Sequence, residues 1–306
     1  MSNSKRVDIK IGFQCNNFCR FCIQGDKRNK FPNKTAEEVK NILKKEKNNC
    51  DSALFTGGEP TIQKNLVDYV KYTKDLGYEH IQIQSNGRLF FYKSYCIELI
   101  DAGVDIFNPA IHGSCSEIHD YLTRSPGSFK QTLKGIENLK SLNQKILINT
   151  VITKANYRDL PNIARMITSL KPDGFQFAFM HIPNTIQNNQ ELIKKIVPRY
   201  CQIDDYLKEG LRIATKAGIE TRTEAIPYCF MKGYERHIAE NEAPDANVYD
   251  ANKITKNFNE VRKTQAKAKG PNCQRCKYDE ICEGPWRDYP EIFGWEEFKP
   301  IKYLWS

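Results

Sequence analysis

The chain has 306 residues, 40% of them hydrophobic and 11% aromatic, enough for one large domain or a large domain with a small appendix. No apolar stretch approaches the length of a membrane-spanning helix, and the start Met1-Ser2-Asn3-Ser4-Lys5-Arg6 has no apolar run behind it, so the reading is of a cytoplasmic protein without a signal peptide. The net charge of +9 comes from lysines spread over helical faces, such as Lys40, Lys44 and Lys47, and no recognised nucleic-acid module accompanies it.

Strand and helix patterns alternate from residue 7 to about residue 220. Val7 to Ile11 reads as a strand and runs into Cys15, Cys19 and Cys22, a C-x3-C-x2-C spacing on a loop. Thiolates this close can converge on one iron–sulfur cube, which normally takes four cysteines. A fourth is missing locally, which would leave one iron open. By spacing alone the loop also fits a zinc site, an electron-transfer cluster or three unconnected thiols.

Thr35-Ala36-Glu37-Glu38 has the spacing of a capping box and opens a helix through Val39, Ile42 and Leu43. Ser52 to Phe55 is a short buried strand ending at Thr56-Gly57-Gly58-Glu59-Pro60, where two glycines let backbone approach a ligand closely. A helix through Leu66 and Val70 follows, then a strand at Ile81 to Gln84 and a helix stopped by Gly103. Val104 to Phe107 begins a fourth strand leading to His112. Ser128 to Gln131 again has capping-box spacing, before a helix through Leu139. Ile146 to Ile152 and Phe175 to Met180 are the fifth and sixth strands, with a helix between them. These apolar strands suit a parallel sheet covered by helices.

Pro198 to Gly218 reads as one helix, and Ile219 to Thr223 as a short strand after it. Beyond it the chain turns polar and ends in a dense tail containing Cys273, Cys276 and Cys282. Eleven cysteines, grouped at short spacings and without an export signal, favour metal ligation over disulfides. Cys50, Cys96 and Cys201 fall on predicted helices or their ends and read as packing. The predicted division is 1–224 for the strand–helix unit and 225–306 for a cysteine-rich extension.

The cysteine loop after the first strand and Gly57-Gly58-Glu59 after the second together resemble the signature of the radical S-adenosylmethionine (SAM) superfamily. The resemblance implies an α/β fold, a partial (β/α)6 barrel, with functional loops at the C-terminal ends of the strands. It implies a [4Fe–4S] cluster on Cys15, Cys19 and Cys22 whose open iron is chelated by SAM. An external electron donor such as flavodoxin or ferredoxin would reduce the cluster, and the resulting 5′-deoxyadenosyl radical would abstract hydrogen from substrate. Gly57, Gly58 and Glu59 would receive the SAM amine. Ser85 and Asn149 stand where relatives contact the ribose or the methionine carboxylate, although polar strand ends also serve as structural caps. Phe179 to Ile182 stands where relatives bind adenine by backbone and apolar contact.

His112 and Cys115 follow the fourth strand, where a histidine could shuttle a proton and a cysteine could quench a radical. Each also has a bland reading, as a hydrogen-bonded core histidine and a small hydrophobe. Arg124 could hold a carboxylate bidentately or lie on a surface loop.

The C-x2-C-x5-C tail resembles the SPASM and twitch extensions that hold auxiliary iron–sulfur clusters. Residues 225–306 contain too few cysteines for two clusters, so a single auxiliary [4Fe–4S] cluster on Cys229, Cys273, Cys276 and Cys282 is expected, with a structural zinc site as the alternative. The expected function is oxidation, cross-linking, epimerisation or rearrangement of a peptide or small-molecule substrate, with the auxiliary cluster relaying electrons. The first strand at residue 7 leaves no N-terminal peptide-recognition domain, so a peptide substrate would call for a separate recognition protein. The contrasting expectation is a non-catalytic electron-transfer or scaffold protein, against which intact Gly57-Gly58-Glu59 speaks.

Overall fold

The computed structural model describes residues 5–240 and 242–302. Nine strands form one open sheet: β1 (Lys5–Gly12), β2 (Ser52–Gly57), β3 (His80–Ser85), β4 (Ile106–Pro109), β5 (Lys145–Ile152), β6 (Gly174–Phe179), β7 (Glu220–Glu224), β8 (Asp245–Tyr249) and β9 (Ile254–Thr255). Their order is β7-β6-β5-β4-β3-β2-β1-β8-β9, parallel throughout except for the β8–β9 pair. The helices, in chain order, are α1 (Ala36–Glu46), α2 (Leu66–Asp75), α3 (Lys93–Ala102), α4 (Ser116–Thr123), α5 (Ser128–Ser141), α6 (Leu160–Ser169), α7 (Gln190–Ile196), α8 (Tyr200–Lys216), α9 (Phe258–Val261) and α10 (Asp288–Phe293). This is a partial (β/α)6 barrel over β1–β6, extended by β7 on one edge and by β8–β9 on the other. Among the described residues no helix is long and apolar enough to cross a membrane.

The strands are two-faced. Val7, Ile9 and Ile11 on β1, Ile81 and Ile83 on β3, and Ile146 and Ile148 on β5 are buried in the core. The alternating positions carry polar side chains into the barrel lumen: Arg6 and Asp8, Gln82 and Gln84, Asn108, Asn149, Gln176, Arg222 and Glu224 line one cavity there. Period-two alternation thus marks a lumen filled with polar groups.

The capping box at α1 forms as the sequence predicts, with Glu38 N donating to Thr35 Oγ1 at 3.2 Å and Thr35 N donating to Glu38 Oε2 at 2.6 Å. At α5 it does not. Gly127 takes the N-cap position, and Asp120 from α4 accepts from Gly127 N, Phe129 N and Ser128 Oγ at 2.7–2.8 Å instead. A carboxylate borrowed from the preceding helix displaces the local cap.

The polar stretch beyond β7 contains β8, which pairs with β1 over Lys5–Ile9. Its burial rests on a polar pairing. Glu46 of α1, 1% exposed, accepts from Asn247 Nδ2 at 2.7 Å and from Tyr249 Oη at 2.5 Å. Trp286, Tyr289 and Phe298 of the tail share the core with Phe179 of β6 and Tyr200 of α8. Residue 224, where the sequence predicts a boundary, is the last of β7.

Candidate active site

The site begins where β1 ends. Gly58 N donates to Gly12 O and Glu59 N to Gln14 O, both at 2.8 Å, so the end of β2 lies flat against the chain entering the cysteine loop. Both glycines are required by this approach. Gly57 has φ +129°, and a Cβ there would stand 2.2 Å from Gly12 O; a Cβ on Gly58 would stand 2.3 Å from Gln14 O.

The loop bends back so that Phe18 N and Arg20 N donate to Thr123 O and Leu122 O at 2.9 Å. Asn86, just past β3, bonds Asn16 Oδ1 at 2.6 Å and approaches Cys15 Sγ at 3.7 Å. Arg88 bonds Asn17 Oδ1 at 2.9 Å and the Asn16 carbonyl. Asn86 and Arg88 escaped the sequence reading. Their signal was the Ser-Asn-Gly turn ending β3, polar residues at a strand's C-terminal end.

Burial pushes all three loop thiols up. The close approach of Cys15 and Cys22 to Cys19 adds to the effect at Cys19, and Glu59 adds to it at Cys15. The Arg28 guanidinium, seated over the Phe18 ring at 4.3 Å, acts in the opposite sense on all three. Three clustered thiols of this kind become thiolates readily only with a metal centre among them, so the donor set fits an iron–sulfur cluster.

Glu59 is 1% exposed. Its Oε1 accepts from Thr61 N (3.0 Å), Thr61 Oγ1 (2.5 Å) and Ser85 Oγ (2.7 Å), and its Oε2 from Asn86 N (2.6 Å). Burial pushes its carboxyl up, against these hydrogen bonds. Oε2, with one donor, keeps capacity for a second. Ser85 therefore orients Glu59. Asn149, on β5, has a buried Oδ1 with no partner. The spare capacity of Glu59 Oε2 and the unpartnered Asn149 Oδ1 each fit a ligand bearing N–H or O–H donors, as SAM does.

His112 packs edge-on against Phe21 of the cysteine loop, with ring centroids 4.7 Å apart. Its Nδ1 accepts from Val151 N at 3.2 Å, its ring stacks on His119, and burial, with His119 beside it, holds its pKa well below the usual range. Such a histidine is a neutral packing group, and it does not line the lumen cavity. Cys115 is the N-cap residue of α4 and also lies outside that lining. Arg124 takes the left-handed conformation (φ 53°) that ends α4 and is exposed. The Phe179 ring stacks on Tyr200 with centroids 4.1 Å apart, in the helix layer, while its carbonyl accepts from Trp286 Nε1 at 3.1 Å. Its ring is withdrawn from any ligand in the lumen.

Cys229, Cys273, Cys276 and Cys282 line one cavity in the extension. Burial pushes the Cys229 thiol up, and Cys282, Cys273 and Cys276 add to it, so all four lie near one another. Gly270 N donates to Cys273 Sγ at 3.3 Å. Among the described residues, no three His, Cys, Asp or Glu side chains are arranged to hold a single metal ion.

An open α/β barrel with a three-cysteine loop and a glycine cradle at the C-terminal ends of its first two strands defines the class. The family model described as the Radical SAM superfamily matches residues 9–167, just over half of the chain, and the chain belongs to that superfamily. Among curated proteins it is 31% identical over 117 residues to an AdoMet-dependent heme synthase of Oleidesulfovibrio alaskensis, covering 38% of this chain and 30% of that protein. It is 23% identical over 271 residues to the Methanosarcina barkeri protein of the same name, covering 76% of each. A probable GTP 3′,8-cyclase of Saccharolobus islandicus is 28% identical over 176 residues, 56% of each chain. The match thus spans less than a third of the first of these relatives and about half of the last.

Solved structures share the fold, among them those of SuiB and anSMEcpe. SuiB of Streptococcus suis bound to precursor peptide SuiA has a TM-score of 0.69 at 17% identity, covering 98% of this chain and 75% of that one. Native anSMEcpe with bound AdoMet and a peptide has a TM-score of 0.72 at 14% identity, covering 98% and 92%. Membership of this superfamily implies a [4Fe–4S] cluster and SAM.

Proposed function

We propose that this enzyme cleaves SAM reductively at Cys15, Cys19 and Cys22 and uses the product to abstract hydrogen from a peptide or small-molecule substrate held in the barrel. The observation that carries the reading is the pair of hydrogen bonds that Gly58 N and Glu59 N donate to Gly12 O and Gln14 O, which sets Gly57-Gly58-Glu59 against the start of the cysteine loop. Cys15, Cys19 and Cys22 would hold the [4Fe–4S] cluster. When bound there, SAM supplies a 5′-deoxyadenosyl radical upon one-electron reduction. Glu59, through Oε2, accepts from the SAM amine, and Asn149 Oδ1 accepts from a ligand hydroxyl or amine. Ser85 and Thr61 hold the Glu59 carboxylate in place. The electron arrives from an external carrier of the flavodoxin or ferredoxin type.

Cys229, Cys273, Cys276 and Cys282 would hold an auxiliary iron–sulfur cluster through four thiolates, and that cluster would accept an electron from the substrate radical. Their shared cavity supports this reading. The curated relatives carry names for haem and nucleotide substrates, and the structural neighbours were solved with peptides. Both substrate classes fit the reaction. Release of 5′-deoxyadenosine by purified protein with SAM and reductant tests the proposal; failure to bind SAM in the reduced state overturns it.

A further inference from the structure

The cavity inside the barrel, about 570 Å³, runs from the strand starts at Lys145, Gly174 and Glu220 up to Asn149 and Glu224. Its wall is charged, and its three arginines are engaged, as is Lys267 outside the lining. Arg6 pairs with Asp8 at 2.5 Å, and Arg222 with Glu220 at 2.7 Å and Glu242 at 3.0 Å. Arg262 pairs with Glu283 at 2.8 Å, and Lys267 with Glu240 at 2.9 Å. Glu224 is left over. It accepts from Gln176 Nε2 at 2.9 Å and forms no ion pair among the described residues.

Burial and the neighbouring Glu240 push the Glu224 carboxyl up, and the cations that act against them, Lys267 and Arg262, are already paired with other carboxylates. Glu240, also in the cavity wall, has a side chain 6% exposed; its Oε1 takes Lys267 Nζ and Ala225 N, while its Oε2 is buried with no partner. A short step along the sheet, Asn149 Oδ1 is likewise unpartnered. Asn149 stands opposite Gln176, and Glu224 is two residues beyond Arg222, the partner of Gln176 on β7. Toward Glu224 the unpartnered groups of this cavity are acceptors, whereas Lys145, at the strand-start end, is exposed and forms no ion pair among the described residues. Buried acceptors and an unpaired carboxylate are costly without a donor to fill them.

Building on the proposed function, we infer that this cavity receives the substrate and that Glu224 and Glu240 bind a protonated amine or guanidinium group on it. An ammonium offers three donors and a guanidinium five, matching a wall of carboxylate and amide acceptors. A carboxylate-rich or phosphate-rich group would meet like charge there.

The test uses the full chain with its iron loaded and SAM present. Calorimetry compares N-acetyl-lysine methylamide and agmatine with the neutral isostere N-acetyl-norleucine methylamide. The cationic probes are expected to bind at least about tenfold more tightly than the isostere, and Glu224→Gln to remove that preference. Equal binding of cation and isostere by the unaltered protein overturns the inference, as does a preference that survives in both Glu224→Gln and Glu240→Gln. If Glu224→Gln fails to fold, Glu240→Gln and the wild-type comparison decide. Formation of 5′-deoxyadenosine without cation preference defeats this inference alone. Cation preference without SAM cleavage defeats the proposed function alone.

Discussion

Ser85 Oγ lies 2.7 Å from Glu59 Oε1, joining the C-terminal end of β3 to the residue that follows β2. Glu59 is thereby fixed by four donors before any ligand arrives. That preorganisation predicts different outcomes for the two residues. Glu59→Ala strands those donors and should lower SAM affinity at least about tenfold while the iron content stays near the wild-type value. Ser85→Ala removes one donor of four and should cost about 1 kcal/mol of stability, with a smaller loss of SAM affinity. Titration of SAM against iron-loaded variants checks both, and unchanged affinity in Glu59→Ala removes it from the site.

Gly58→Ala introduces a methyl 2.3 Å from Gln14 O and 2.4 Å from Phe13 O, backbone atoms at the start of the cysteine loop. The overlap is expected to destabilise the fold by about 3 kcal/mol and to reduce iron loading at the loop. Chemical denaturation together with iron and sulfide counts reads both effects. A variant with wild-type stability and iron would contradict the close approach.

Much of this arrangement is legible in the sequence. The order of strand, cysteines, strand and glycines specifies the first half of the barrel and the cluster loop, because those residue types are tied to local backbone needs. Other parts hide because their meaning is pairwise. Glu46 on α1 and Asn247 on β8 each look like surface residues, and their mutual bond, with that of Tyr249, satisfies the Glu46 carboxylate where β8 is buried. Asp120 likewise replaces a cap that residues 128–131 spell locally. His112, read as a candidate acid–base group, is stacked on a neighbour seven residues on, a contact that the sequence does not display. The lumen residues Glu224 and Glu240 were passed over because unpaired charge is a property of the folded wall, invisible along the chain.

Histidines with depressed pKa values, His112 and His237 among them, set an acid limit. Burial holds His119 to about 4 and His181 to about 3, whereas an unfolded histidine titrates near about 6.5. Their folded pKa values are depressed, so below about pH 6.5 the unfolded chain takes up protons that the folded chain refuses. Their contribution is full above that pH and is lost as pH falls toward 4. For His119 it amounts to about 3 kcal/mol. Urea midpoints should drop between pH 7 and 4.5, less steeply in His119→Asn. A flat midpoint over that range would contradict the buried, neutral state.

Cys229 lies more than forty residues before Cys273, yet they line the same cavity. Cys229→Ala should change the electron paramagnetic resonance spectrum of the tail cluster and leave the signal from Cys15, Cys19 and Cys22 in place. An unchanged tail spectrum would mean a cluster held by three thiolates, with an iron open to substrate. Zinc in place of iron would remove the auxiliary cluster from the account.

The central claim is that Cys15, Cys19 and Cys22, set beside the Gly57-Gly58-Glu59 cradle, are where SAM is cleaved. The most direct measurement is 5′-deoxyadenosine formed under anaerobic reduction by the reconstituted wild-type chain and by the Cys15→Ala, Cys19→Ala, Cys22→Ala triple variant. The account predicts product from the first and none from the second, with iron still bound by the variant's tail. Product from the triple variant, or none from an iron-loaded wild-type chain supplied with SAM and reductant, would contradict it.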